Sequence, residues 1–147
     1  MKADSKTESE IKAVLKTFTE SYAKRDLNTL RRCLATDDDV LFYGTAVGEK
    51  RRGLSEMEMQ AKQDWELSER ASIVLESMSI SGAGSVAWVA ADGAMEYRAK
   101  GEDKDMHQPV RITFVLEKRD SAWLIVHAHF SIAAPDLAEG RSSARAA

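Results

Sequence analysis

The hydrophobic period of this chain changes once, near Arg70, and that change limits the folds open to it. Before it, apolar residues recur at helical spacing. Ile11, Val14, Leu15, Phe18 and Tyr22 form one stripe, with Lys12, Lys16, Glu20 and Lys24 turned to water. Thr7 and Glu10 ahead of them have capping-box spacing. "LNTLRRCLA" gives a short second helix with Leu27, Leu30 and Leu34 inward, "TDDD" ends it, and "VLFYG" reads as a brief strand. A third helix is predicted from Ser55, where Ser55 and Glu58 repeat the capping-box spacing. Leu54 and Met59 fit a hydrophobic staple, and the helix runs to about Ser68, carrying Trp65.

Beyond Arg70 the period is two. "ASIVLESMSI", "SVAWVAADGAMEYRA", "HQPVRITFVLEK" and "AWLIVHAHFSI" are extended runs, separated by the turn compositions "SGAG", "KGEDKD" and "RDS". Consecutive strands with short connections make an antiparallel meander. Helices first and sheet second is the α+β pattern. Alternation then sorts the side chains into two faces. Met95, Tyr97, Phe114, Leu116, Val126 and Phe130 share an apolar face that belongs under the helices. The other face combines Trp88, Val115, Trp123 and Ile125 with Arg111, Thr113, His127 and His129. That mixture is too apolar for water and too polar for a core, and it suits a subunit interface. The expected partner is a second copy of the chain, in a homodimer.

Composition narrows the rest. A length of 147 residues fits one domain, taken here as residues 1–135, with the small, polar residues 136–147 as a disordered tail. The formal charge of −3 is spread along the chain and forms no basic stripe for nucleic acid. Lys50-Arg51-Arg52 and Lys118-Arg119 read as solvated loop charges. The one cysteine, Cys33, excludes an internal disulfide and reads as a packed small residue. "MKADSKTESE" has no signal-peptide core, and no apolar run has membrane length. A cytoplasmic protein is expected.

The order of elements and the closing "W-x-I-V-H-x-H-x-S" resemble the SnoaL-like branch of the NTF2-like superfamily. "YAKRDLNTLRRCLATDDDV" and "GSVAWVAA" support the resemblance, which covers roughly residues 8 to 135. "KRDSAWLIVHAHFSIAAP" is also similar to the end of the association domain of calcium/calmodulin-dependent kinase II. The resemblance implies a cone: N-terminal helices packed on a curved antiparallel sheet, a pocket at the open end, and dimers through the convex face. It leaves the activity open, because such relatives include isomerases, polyketide cyclases, dehydratases and assembly hubs.

In ketosteroid isomerase an Asp base works with a Tyr and a protonated Asp. The strand that carries the base in such relatives holds Tyr43 and Gly44 here, and no carboxylate. Asp92 is the nearest substitute, on the outer face unless a bulge turns it. His127 and His129 could form a metal site only with His107 or Asp92 converging on them, and Ser131 lacks an orienting acid; no metal or other cofactor is expected. In the kinase association domain the pocket carries arginines, and Phe114 and Phe130 stand at two of those positions, which implies a more apolar, less anionic ligand. The expected function is a stand-alone dimeric SnoaL-like protein that binds a small hydrophobic molecule. The expected pocket residues are Phe18, Tyr22, Trp65, Met95, Tyr97, Phe114 and Phe130. The interface set is Trp88, Arg111, Thr113, Trp123, Ile125, His127 and His129. An isomerase- or cyclase-like enzyme and an assembly domain are the alternatives. A titratable group with a shifted pKa beside hydrogen-bond donors would separate an enzyme from a binder.

Overall fold

The computed structural model describes residues 1–134. The predicted tail, residues 136–147, lies outside them. Helix α1 (Ser5–Ala23) is capped by Asp4, whose carboxylate accepts the Thr7 N–H at 2.7 Å, so it begins earlier than the Thr7–Glu10 spacing suggests. Its stripe of Ile11, Leu15, Phe18 and Tyr22 is buried as expected. Arg25 takes a left-handed conformation (φ 57°) that reverses the chain. Asp26 then caps the short α2 (Leu27–Arg32) by accepting the Thr29 N–H at 3.2 Å.

Strands β1 (Leu41–Tyr43) and β2 (Lys50–Arg52) form a small hairpin, so "KRR" is a charged edge strand and not a loop. Charge on an edge blunts pairing with other chains. Helix α3 (Gly53–Leu67) starts before Ser55. Glu56, not Ser55, serves its N-terminus, accepting the Arg52 N–H at 2.6 Å. Met59 is 53% exposed, so no staple forms.

The long strands are β3 (Ser68–Ala83), β4 (Val86–Ala99), β5 (Met106–Arg119) and β6 (Ala122–Ser131). The six-stranded sheet has the order β2-β1-β6-β5-β4-β3, with only β1 and β6 parallel. The helices cover one face, as the α+β pattern requires. Phe18 of α1 meets Phe114 of β5 edge-on, with ring centroids 5.8 Å apart. No helix among the described residues is long and apolar enough to cross a membrane.

Two of the three register shifts among the long strands bear on the faces read from the sequence. In β6, Val115 pairs with His127 but Leu116 pairs with Ile125, so Val126 is an extra residue. Parity inverts there. Trp123 and Ile125 are 5% and 0% exposed and turn inward with Ala128, which removes both from the outer face where strict alternation put them. The Trp123 indole donates to Glu10 of α1 at 2.7 Å. In β3 the extra residue is Glu76, and Gly93 of β4 lies opposite Leu75 beside it. A β-carbon at position 93 would stand 2.1 Å from the Val74 carbonyl oxygen, so the backbones approach as only glycine permits. Gly93→Ala should therefore cost ~1–3 kcal/mol by overpacking, measured by urea unfolding. A variant as stable as wild type would mean that the strands separate freely at the bulge.

Candidate functional site

A cavity of about 480 Å³ opens between α1, α3 and the inner face of the sheet. Most of its wall is hydrocarbon: Phe18, Leu34, Phe42, Ile73, Met95 and Phe130 all contribute. Polar groups gather at one end. Tyr22 comes from the last full turn of α1, Gln60 and Asp64 from α3, and Glu49 and Arg51 from the β1–β2 hairpin.

Helical spacing explains why Asp64 faces inward. Met57, Gln60, Ala61 and Asp64 lie three and four residues apart and share one side of α3. Met57 and Ala61 are buried, so the packing that anchors the helix also turns the carboxylate toward the cavity. The Tyr22 hydroxyl donates to Asp64 Oδ2 at 2.8 Å, and the Gln60 amide donates to Oδ1 at 2.8 Å. Arg51 Nε in turn donates to Gln60 Oε1 at 2.8 Å. The ends of the two helices are tied together below this cluster. The Trp65 indole donates to the Tyr22 carbonyl at 3.0 Å, and Arg25 donates to the carbonyls of Trp65 and Ser68, each at 2.7 Å.

The electrostatics set the two partners apart. Burial pushes the Asp64 carboxyl above the usual carboxylate range, and the nearby Glu49 adds to the rise. Hydrogen bonds from Gln60 and Tyr22 and the charge of Arg51 oppose it without cancelling it. Tyr22 is held firmly neutral, because burial and the adjacent Asp64 both push its phenol far upward. The arrangement thus contains a carboxylate of raised basicity and a phenol that remains a donor, enclosed by apolar walls.

Of the seven residues expected to line the pocket, Phe18, Tyr22, Met95, Tyr97 and Phe130 border this cavity. Trp65 and Phe114 lie outside its lining. Trp65 packs tilted against Tyr22 at 6.0 Å, and the fully buried Phe114 sits edge-on to both Phe18 and Phe130. Tyr43 reaches the cavity and also stacks on His129 at 5.0 Å. On the other side of the sheet, Asp92, Arg111, Thr113, His127 and His129 line an open groove, with Trp88 half-buried nearby. The β3 bulge leaves Asp92 outward, where it accepts from Ser77 at 3.3 Å. His127 Nδ1 lies 2.7 Å from the Leu41 carbonyl and so pins β1 to the sheet.

Sequence reasoning missed Asp64, Gln60, Arg51 and Glu49. It sought the acid on β1 and in Asp92, and it took Arg51 as solvated. The available signal was a carboxylate on the Met57–Ala61 side of a helix otherwise read only for Trp65.

Comparison with known proteins agrees with this architecture. The profile of the SnoaL-like domain matches residues 11–135. No curated protein matches the chain. Among solved structures, a nuclear transport factor 2 (NTF2-like) superfamily protein from Salmonella enterica superposes with a TM-score of 0.82 at 19% identity, covering 94% of this chain and 99% of that one. A proposed dehydratase of the NTF2-like family from Streptomyces avermitilis gives 0.75 at 18% identity, over 86% and 95% of the two chains. A proposed scytalone dehydratase from Novosphingobium aromaticivorans gives 0.78 at 12% identity, over 87% and 85%. At such identities the likeness concerns the fold. Helices laid on a curved sheet, a cavity between them, and a profile match over most of the chain together make this protein a member of the SnoaL-like domain family.

Proposed function

We propose that the protein is an acid–base enzyme acting on a small, largely apolar molecule that carries a carbonyl or hydroxyl group. The observation that supports this is the Tyr22–Asp64–Gln60 cluster at the end of an otherwise hydrocarbon cavity. A pocket that only held a hydrophobic ligand would gain nothing from a half-buried carboxylate, since burying the charge costs stability. Asp64 takes a proton from a carbon next to the substrate carbonyl and returns it to another position or to a leaving hydroxyl. Tyr22 holds the carboxylate, and the phenol of Tyr97, which borders the same cavity, offers a hydrogen bond to the oxygen that gains charge. Isomerisation and dehydration both begin with this step. The dehydratase proposals made for two structural neighbours are consistent with it.

The test is proton exchange. A panel of small cyclic ketones is incubated in D₂O with the protein, and loss of the α-proton signal is followed by NMR. Wild type should exchange at least one member above the buffer rate, and Asp64→Asn should not. Ligands that bind tightly but never exchange would leave a non-catalytic binder as the correct reading.

The outer groove supports pairing of two copies through the sheet. Asp92 and Arg111 are cross-strand neighbours, yet they form no ion pair with each other among the described residues. A two-fold axis through the groove would bring Arg111 of one copy to Asp92 of the other. In sedimentation at micromolar concentration the protein should run as a dimer, and Thr113→Arg should shift it toward monomer. A monomeric wild type would remove this interface.

A further inference from the structure

We propose that Arg51 and Gln60 are positioning residues that hold Asp64 in its proton-accepting form, with the Gln60 amide as intermediary. This deepens the reading of Asp64 as the base and rests on it for its catalytic meaning, though its test needs no substrate. A guanidinium has donors and no acceptor. Arg51 Nε lies 2.8 Å from Gln60 Oε1, which commits that oxygen to Arg51 and turns the amide NH₂ toward Asp64 Oδ1, 2.8 Å away. An unrestrained glutamine could rotate its amide by half a turn and offer its oxygen instead. Facing an oxygen, Asp64 would be favoured as the protonated acid, because only then can it donate. Arg51 blocks that rotation.

The rest of Arg51 is fixed as well. Its Nη1 donates to the carbonyls of Gly48 and Lys50 at 3.1 and 3.3 Å, so the side chain is tied to the turn of its own hairpin. The i,i+4 spacing of Gln60 and Asp64 on α3 keeps amide and carboxylate on one side without further support. The chain of contacts therefore runs from an edge hairpin at the cavity wall, through one amide, to the base. The charged and titratable groups acting on Asp64 are Tyr22 from α1 and Glu49 and Arg51 from the hairpin. Any direct effect of the Arg51 charge must be separated from its effect through Gln60.

A double-mutant cycle makes that separation. Carbon-13-labelled Asp is titrated by carboxyl NMR in wild type, Arg51→Met, Gln60→Leu and the double variant. Arg51→Met and Gln60→Leu should each raise the pH at which Asp64 titrates. The Arg51→Met shift should shrink by at least half when Gln60 is already leucine, because the intermediary is gone. Equal shifts in both backgrounds would mean that Arg51 acts by charge alone, which overturns the proposal, as would no shift from Arg51→Met. If Gln60→Leu does not fold, Gln60→Met completes the same cycle. Coupling without any deuterium exchange would support the positioning role while removing the reaction. Exchange with purely additive shifts would do the reverse.

Discussion

Asp64→Asn should lower α-proton exchange by ~10²–10⁴-fold, the usual contribution of a placed acid–base group, while making the fold more stable near neutral pH. The two effects have one cause. Burial raises the Asp64 pKa above that of the unfolded chain. The folded state therefore binds more protons than the unfolded state over the window between the ordinary carboxylate range and the raised value. Stability falls as pH rises through that window, and above it the full cost of the buried charge is present. Asparagine removes the charge and can still satisfy its neighbours. Its oxygen accepts from Gln60, and its NH₂ donates to the Tyr22 oxygen, which frees the phenolic hydrogen for the cavity. Melting curves of wild type and variant should converge in acid and separate toward neutrality, with the variant higher. A variant less stable than wild type at pH 7 would show that the carboxylate is held for structure. A gain in stability with a loss of rate is the usual relation at a site kept strained for its chemistry.

What could be read from the sequence was whatever depends on period, and what could not was whatever depends on one residue out of step. The stripe from Ile11 to Tyr22 and the alternation after Arg70 are repeated signals, so α1 and the meander followed from them. The β6 bulge at Val126 is a single unpaired residue, and it reversed the faces of Trp123 and Ile125. Nothing in "WLIVHAHFS" marks that position, because every nearby residue is compatible with either face. His127 and His129 lie beyond the bulge and kept their side. The site was obscured for a related reason. Asp64 is one carboxylate among many on polar helix surfaces, and its role appears only when Tyr22, 42 positions earlier, meets it in space. Arg51 looked like one of three clustered charges. Only the pairing of β1 with β2 shows that the middle residue turns toward α3.

Phe114→Ala should destabilise the protein by ~3–5 kcal/mol, the range for deleting a buried aromatic ring, and should also extend the cavity. Phe114 has no exposed surface. Its ring stands between two others, edge-on to Phe18 at 5.8 Å and to Phe130 at 6.1 Å. Phe18 and Phe130 border the cavity and Phe114 does not, so it forms a second layer beneath the floor. Its removal leaves a void that those two rings can only partly fill, which places the cost toward the upper part of the range. A domain of this size has ~5–15 kcal/mol in hand, so the variant should fold yet unfold at much lower urea. Exposed Met59 supplies the control, since Met59→Ala should change little. If the two variants unfolded alike, the ring could not belong to the core. The same void gives a functional readout. An apolar ligand one ring longer than any that wild type accepts should bind Phe114→Ala and restore part of the lost stability, by occupying the space and by mass action on the folded state. Failure of every longer ligand to do so would mean that Phe18 and Phe130 collapse into the gap. The depth of the pocket would then be set by those two residues and not by the layer beneath them.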